Sequence, residues 1–169
     1  SRGLGDVYKR QNMNNLSLKE IGERHQTDKF KEDVNYTDHY LKYFEEVRHE
    51  KTKLLEIGVA RGAGLITWNE YFTDSEIHGM ENWWKHSTTS VETLRKCAAF
   101  GVTVHVGDQS SREDLNRVVK ETGQFDIIID DGGHTMGQQQ ISLGFLFKHL
   151  RSGGIYVVED LVTSHEGFG

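Results

Sequence analysis

The sequence of 169 residues contains no proline, a single cysteine and no long apolar run. With only Cys97, the chain cannot form an internal disulfide, and this favours a reducing, cytoplasmic setting. No stretch approaches the roughly 20 apolar residues that cross a bilayer, and no signal-peptide pattern is present, so the sequence predicts no membrane partner. Nothing in the sequence explains the absence of proline.

Basic residues are also in short supply. Lysine and arginine total 20 against 26 acidic residues, and the formal net charge is -6. Proteins bind a nucleic-acid backbone through clustered lysines and arginines, and no such cluster is present. The charge therefore predicts no nucleic-acid partner and favours a small-molecule substrate, with a homo-oligomer as an option that the sequence leaves open.

The length is that of one compact domain. Residues 1–12 show no apolar periodicity and are predicted to be a non-native or disordered tail, because Asp6 to Gln11 resembles the translation of a sequencing-library adapter. Met13 is then the expected natural start. Residues 13–169 form the predicted domain.

What the sequence does contain is a glycine-rich turn directly after an apolar run, between Leu54 and Gly64. The apolar run predicts a buried strand, and the glycines let the following turn approach a ligand closely because no Cβ stands in the way. The free amides of a helix predicted from about Leu65 point back at the same place. This arrangement indicates a nucleotide-like ligand, although glycines after a strand also occur in turns that bind nothing.

The spacing of the glycines separates two kinds of nucleotide site. A dinucleotide fingerprint is G-x-G-x-x-G, whereas here Glu56 precedes Gly58, and Gly62 and Gly64 follow. An NAD site is therefore disfavoured. The arrangement resembles motif I of class I methyltransferases that use S-adenosylmethionine (SAM). The resemblance implies that SAM lies over the turn and that Glu56, Gly58 and Gly62 belong to its site.

Strands and helices alternate along the rest of the chain. Two helices, from Ser17 and from Thr37, precede the first strand, and a capping box of Thr89 and Glu92 is predicted to start the helix before the third strand. The later strands are predicted at Glu76 to Glu81, Val102 to Val106, Phe125 to Asp130 and Ile155 to Glu159. This alternation predicts βαβ units and an α/β, doubly wound parallel sheet. The resemblance to class I methyltransferases implies a Rossmann-like sheet with strand order 3-2-1-4-5.

Polar residues stand at the carboxyl ends of these strands, where parallel sheets bind ligands. Glu81 ends the second strand about 20 residues past the glycine turn, in the place of an acid that binds ribose hydroxyls; a surface acid is the alternative. Asp108 and Gln109 follow the third strand and are expected to contact the adenine edge. Asp130, at the end of the fourth strand, is also assigned to the cofactor.

Acidic residues follow the fourth and fifth strands. Asp131, Glu159 and Asp160 are predicted to lie on the same edge as the glycine turn, and three carboxylates there would repel one another unless a cation lies among them. The sequence therefore predicts an oxygen-ligand site for a hard divalent ion, Mg²⁺. His134 is the candidate base for a substrate hydroxyl. Helix-capping acids and a solvated loop histidine are the alternative interpretation.

Together, the motifs resemble one group of enzymes. The segments involved are Thr27-Asp28-Lys29, Leu54 to Gly62, Gly107 to Ser110, Asp130 to His134 and Glu159 to Leu161. They are similar to segments of the metal-dependent sugar O-methyltransferases of macrolide biosynthesis, of the mycinamicin and tylosin type, and of their cephalosporin-hydroxylase-like relatives. The resemblance implies that Asp131, Glu159 and Asp160 bind Mg²⁺ and that His134 is the base.

The chain departs from that family in three respects. Gly133 stands where its members usually have serine, and the segment around Trp83 and Trp84 has no recognised counterpart, which bears on the adenosine contacts. Class I methyltransferases have seven strands, whereas five are predicted here, so the last strands are expected to be missing. The predicted function is O-methylation of a small, sugar-containing metabolite. The alternatives are a SAM-binding fragment without turnover and a hydroxylase-like enzyme on the same scaffold.

Overall fold

The computed structural model describes residues 16–30, 36–82 and 89–161. The predicted tail at residues 1–12 and the Trp83-Trp84 pair lie outside the described residues. The elements, in chain order, are α1 (Leu18–His25), α2 (Thr37–Phe44), β1 (Lys51–Ile57), α3 (Ala63–Tyr71), β2 (Asp74–Glu81), α4 (Val91–Ala99), β3 (Thr103–Val106), α5 (Arg112–Thr122), β4 (Phe125–Asp130), α6 (Met136–Leu146), a 3₁₀ turn (Phe147–His149) and β5 (Leu150–Val158). None of the helices in these ranges has both the length and the apolar character needed to cross a membrane.

The strands form a parallel sheet in the order β3-β2-β1-β4-β5, as predicted. β1 lies at the centre, with Leu54 in register with Ile77 of β2 and Ile127 of β4. The consecutive buried residues of β1 and β4 are typical of strands that are covered on both faces. The α/β doubly wound fold is therefore confirmed.

Apolar layers cover both faces of the sheet. On one face, residues of α1, α2 and α3 such as Leu18, Phe44 and Trp68 form a cluster with Leu54 and Ile127. The cluster on the other face holds residues from β1, β4, α5 and α6: Leu55, Ile128, Leu115, Val118 and Leu146. The two N-terminal helices are therefore part of the core, and they bring the segments that follow them to the edge of the sheet.

Local capping differs from the prediction at two helices. α3 begins at Ala63 rather than Leu65, with Gly62 as its N-cap. The cap of α4 is Ser90, whose hydroxyl accepts a hydrogen bond from the backbone N–H of Thr93, so the predicted capping box at Thr89 is wrong. Thr89 is instead directed at the glycine turn, where its hydroxyl lies 2.8 Å from the carbonyl oxygen of Ala60.

The last strand also begins earlier than predicted. β5 starts at Leu150 instead of Ile155, and its register with β4 shifts between Phe125 and Ile127. Such an irregularity accommodates extra residues in one strand of a pair. The predicted pairing of β5 with the end of β4 is unaffected, since Val158 is in register with Asp130.

Gly58 holds the start of the glycine turn in the left-handed region, at a φ of +91°. Its N–H donates to the carbonyl oxygen of Met80 at 2.9 Å, and a Cβ at this position would collide with the carbonyl oxygen of Asp131. The glycine is therefore required by the close contact of two loops of the protein itself. A bulky substitution at Gly58 would disturb the fold before it tested ligand binding.

The contact of Gly58 with Asp131 gives a test of this constraint. Gly101 also has a positive φ, +79°, but a Cβ there meets nothing within 4 Å, so Gly101→Ala is the matched control. We expect Gly101→Ala to lower the free energy of unfolding by about 1–2 kcal/mol from conformation alone. Gly58→Ala should lower it by about 3 kcal/mol or more, because a clash with backbone is added. Urea unfolding measures both, and equal losses would show that the loop after β4 yields freely.

Candidate active site

Two adjoining pockets lie at the carboxyl edge of the sheet. The turn pocket, of about 390 Å³, lies over the glycine turn and is bordered by Lys29 and Glu56. The edge pocket, of about 490 Å³, extends along the ends of β2, β3 and β4. The residues that line both pockets are Asp28, Gly58, Ala60 and Asp131. An elongated ligand can therefore lie across the two pockets and pass Asp131 at their junction.

Most of the residues predicted for the site line these pockets. They are Glu56, Gly58, Glu81, Asp108, Gln109, Asp131, His134 and Asp160. Three others, Gly62, Asp130 and Glu159, do not border either pocket. The parallel topology explains the first set, because it brings the carboxyl ends of the strands to one edge. In the second set, Asp130 and Glu159 are buried at the same edge, and Gly62 packs against α4.

Gly62 is explained by packing between helices. It lies at a φ of +75°, and a Cβ there would be 2.7 Å from Sγ of Cys97 and 3.3 Å from Cγ2 of Thr93. Its N–H donates to the carbonyl oxygen of Val59 at 2.7 Å, which closes the turn. The second glycine of the motif thus lets α4 approach the turn. Its predicted contact with the cofactor has no support in this geometry.

Asp130 lies behind the edge pocket and is 1% exposed. It accepts hydrogen bonds from Nε2 of Gln109 at 3.0 Å and from the hydroxyl of Ser142. Burial raises the pKa of Asp130, while these hydrogen bonds oppose the shift. Gln109 in turn accepts a hydrogen bond from the N–H of Gly133 at 2.5 Å. Asp130 therefore positions Gln109 and, through it, the loop after β4.

Glu81 and Asp108 are in the places predicted for ribose and adenine contacts. Oε2 of Glu81 accepts hydrogen bonds from the N–H groups of Val59 at 3.0 Å and Ala60 at 3.2 Å, so this carboxylate also stabilises the glycine turn. Asp108 accepts a hydrogen bond from the amide of Asn82 at 3.1 Å. Both acids line the edge pocket. Their contacts with a cofactor stay predictions.

Asp131, His134 and Asp160 form a group of candidate metal ligands, called the cleft group below. Each offers one ligand atom, and these atoms lie within 4.8 Å of one another. Asp160 has a φ of +52°, a conformation that non-glycine residues adopt mainly where the surrounding structure demands it. Its Oδ1 accepts a hydrogen bond from Tyr36 at 2.7 Å, and this bond raises the pKa of Tyr36 to about 12. The two carboxylates of this group suit a hard divalent cation, and the imidazole lies beside them.

Glu159, the third predicted metal ligand, is not a member of the cleft group. It is 5% exposed, and its Oε1 lies 2.9 Å from Nζ of Lys29 and accepts a hydrogen bond from the hydroxyl of Tyr40. Burial raises the pKa of Glu159, and the ammonium of Lys29 opposes this shift. The structure therefore brings Asp131 and Asp160 together, and Glu159 shares the ammonium of Lys29 with Asp131.

Lys29 is a site residue to which sequence reasoning gave no role. Its Nζ lies 3.1 Å from Oε1 of Glu56 and 2.9 Å from Oε1 of Glu159, and it also pairs with Asp131. Burial alone would lower the pKa of Lys29, but the three carboxylates raise it, so the amine is charged. These four residues are called the lysine cluster below. The Thr27-Asp28-Lys29 motif was visible in the sequence, but its partners lie far away along the chain.

Glu56 is the most deeply buried acid of the lysine cluster, at 2% exposed. Besides Lys29, it accepts a hydrogen bond from Nε1 of Trp68 at 3.3 Å. Burial raises the pKa of Glu56 to about 7, against the opposing charge of Lys29. Glu56, the acid before the first glycine, thus makes contacts in the protein interior and also lines the turn pocket.

The raised pKa of Glu56 predicts a pH dependence of stability. A carboxyl with a pKa of about 7 in the folded chain and 4.5 as its ordinary value binds its proton more tightly when folded, so the stability that it contributes is lost as pH rises through about 7. Glu56→Gln does not titrate at this position. Urea unfolding between about pH 4 and 8 should therefore show the wild type losing stability relative to Glu56→Gln as pH rises. A difference that stays constant with pH would contradict the raised pKa.

Comparison with known proteins connects this site to a family. Residues 55–161 match a family model described as a methyltransferase domain. Mycinamicin VI 2''-O-methyltransferase of Micromonospora griseorubida is 35% identical over 160 residues, which cover 90% of this chain and 38% of that protein. Demethylmacrocin O-methyltransferase of Streptomyces fradiae is 34% identical over 160 residues, with the same coverage. The chain thus spans about two fifths of the length of the curated relatives that it matches.

Solved structures agree with the sequence comparison. The MycE methyltransferase of the mycinamycin biosynthetic pathway has been solved in complex with Mg and SAH, and in complex with Mg, SAH and mycinamycin VI. Each of the two superimposes with a TM-score of 0.76 and 33% identity, covering 91% of this chain and 42% of that one. Because the family model covers more than half of the chain and the fold agrees, this protein belongs to the SAM-dependent methyltransferase family.

Proposed function

We propose that this chain binds SAM across the turn pocket and the edge pocket and transfers its methyl group to a hydroxyl of a small, sugar-containing molecule, assisted by a divalent ion. The observation that carries the proposal is the junction of the two pockets. Gly58 and Asp131 line both of them, and Asp131 also belongs to the cleft group. A cofactor that lies over the glycine turn therefore passes directly beside the candidate metal ligands.

The orientation of SAM follows from the polarity of the two pockets. The amino-acid end belongs in the turn pocket, where Asp28 is available to an ammonium group and the first turn of α3 offers backbone N–H groups to a carboxylate. The adenosine end belongs in the edge pocket, beside Glu81, Asp108 and Gln109. This orientation leaves the methyl group near Asp131.

The cleft group would hold the divalent ion, with Asp131 and Asp160 as carboxylate ligands and Glu159 as the third predicted ligand. The ion, when bound, lowers the pKa of a hydroxyl that coordinates it. His134 is proposed to accept the proton of the acceptor hydroxyl at Nε2. This nitrogen lies 3.8 Å from Oδ2 of Asp160, at the cleft group, whereas Nδ1 is buried.

The relatives support the class of reaction. The solved MycE complexes contain Mg, SAH and mycinamycin VI, and the curated relatives are named as O-methyltransferases of glycosylated natural products. A sugar hydroxyl on a natural product is therefore the acceptor we propose. Calorimetric titration of SAM and of Mg²⁺ in separate experiments tests the scheme. Binding of both supports the enzyme, SAM alone indicates a cofactor-binding module without metal-assisted turnover, and binding of neither contradicts the proposal.

Replacement of the proposed metal ligand Asp131 and of the proposed base His134 should affect different measurements. We expect Asp131→Ala to lose Mg²⁺ binding. His134→Ala should keep Mg²⁺ and SAM affinity but lower the rate of methyl transfer by about 10²- to 10⁴-fold, the contribution typical of a general base. Transfer from labelled SAM to mycinamicin VI or a simple rhamnoside measures the rate.

His49→Ala is the matched control, because His49 is an exposed histidine that contacts Thr73 rather than the cleft group. Its rate should equal that of the wild type. Full activity of His134→Ala would remove the base from the mechanism. Full activity of the wild type in excess EDTA would remove the metal.

A further inference from the structure

One ammonium group joins two of the three carboxylates that were predicted to bind a metal. Nζ of Lys29 lies 2.9 Å from Glu159 and pairs with Asp131. Lys29 is 4% exposed and Glu159 is 5% exposed, so water contributes little to the solvation of either charge. In the described part of the chain, Lys29 thus makes the contact with Asp131 and Glu159 that a bound cation would make.

The lysine cluster is short of positive charge. Among the residues that the structure describes, three carboxylates, those of Glu56, Asp131 and Glu159, face the single ammonium of Lys29. Buried charges require partners, and removal of one partner leaves the others uncompensated. The hydroxyl of Tyr40 and the indole N–H of Trp68 donate hydrogen bonds to the acids, but they carry no charge. The cluster therefore binds its one cation tightly and would attract a second one.

The third glycine of the turn indicates that the space for Lys29 is built into the motif. A Cβ on Gly64 would lie 3.1 Å from Cε of Lys29 and 2.9 Å from both carboxylate oxygens of Glu56. The glycine therefore leaves room for the pair of Lys29 and Glu56 beneath α3. This packing explains why a glycine is needed at position 64 without any contact to the cofactor.

The acids divide into two groups that share one member. Asp131 belongs to the lysine cluster and to the cleft group, whereas Glu159 belongs to the lysine cluster and Asp160 to the cleft group. Glu159 cannot complete a set of metal ligands with Asp131 and Asp160 while it faces Lys29. A divalent ion that uses all three carboxylates must therefore displace the ammonium.

We propose that Lys29 is an internal counter-cation that competes with the divalent ion for Asp131 and Glu159, and so sets the metal affinity of the site. The inference rests on the proposed function, since it assumes that the ion binds at the cleft group. Lys29 is a positioning residue in this scheme: it holds Glu159 and Asp131 in ion pairs until the ion takes its place. Loss of the ammonium should then strengthen metal binding, whereas a lysine that merely supports the site would weaken metal binding when removed.

Titration of Mg²⁺ by calorimetry, without SAM, measures this competition. We expect Lys29→Met to bind Mg²⁺ at least about tenfold more tightly than the wild type, because a charge in contact with two ligands is removed. Lys53→Met is the matched control: it also removes a paired lysine, which lies 3.2 Å from Glu76 at β2. Its affinity should change by less than about twofold, since separated charges are screened.

Two double variants test the competition in case Lys29→Met alone does not fold. Lys29→Met/Glu56→Gln removes an acid together with the lysine, so the charge of the cluster changes less than in Lys29→Met; it should bind Mg²⁺ more tightly than Glu56→Gln alone. Lys29→Met/Glu159→Gln should lose the tighter Mg²⁺ binding expected of Lys29→Met, because the carboxylate of Glu159, which loss of Lys29 would make available to the ion, is absent. Circular dichroism establishes that each variant is folded.

The outcomes separate this inference from the proposed function. Unchanged or weaker Mg²⁺ binding in the folded lysine variants, with normal binding in the wild type, overturns the role of Lys29 alone. If no variant binds Mg²⁺ while SAM still binds, the competition and the metal assistance are both overturned, but the cofactor site stands. Tighter binding that depends on Glu159 supports the competition.

Discussion

The ion pairing of Lys29 with three carboxylates, two of them buried, is the interaction on which the carboxyl edge of the sheet depends. Glu56 is the last residue but one of β1, while Asp131 and Glu159 directly follow β4 and β5, so the parallel topology brings three acids from adjacent strands together. Without a cation, these acids would repel one another at a place where water is largely excluded. The segment between α1 and α2 supplies that cation, and it is therefore as much a part of the site as the glycine turn.

The same edge has to satisfy two demands with a small number of residues. The interior needs a fixed positive charge, which Lys29 provides, and the cleft needs acids that are free to hold a ligand. Asp131 serves both, because one of its oxygens pairs with Lys29 while its carboxylate also borders the two pockets. Gly58, packed against the carbonyl of Asp131, fixes the position of this acid relative to the glycine turn. The glycine turn and the candidate metal ligands are thereby brought next to each other.

Much of this arrangement was accessible from residue patterns. The alternation of apolar strands and amphipathic helices predicted the parallel sheet, the resemblance to methyltransferases implied its order, and the glycine turn predicted a ligand at its carboxyl edge. The strand ends at Glu81, Asp108 and Asp131 were predicted to line the cleft, and they do. These features depend on periodicity and on strand direction, which are local properties of the chain. The N-cap of α4 was harder to predict, because Thr89 and Ser90 are adjacent hydroxyl residues and either could cap the helix. In the structure Ser90 is the cap, and the hydroxyl of Thr89 contacts Glu81 beside the glycine turn.

The sequence by itself determined that acids would gather at one edge, but only the tertiary structure decided which of them face the ligand. In each neighbouring pair, Asp130 with Asp131 and Glu159 with Asp160, the first residue continues the strand inward, and the second turns toward the cleft. The left-handed backbone of Asp160 makes that turn, and no residue pattern announces it. The partner of Glu159 is a lysine 130 positions earlier in the chain, and the partner of Asp131 is the same lysine, 102 positions away. Contacts at such separations are set by how the layers pack, because local propensity carries no information about them.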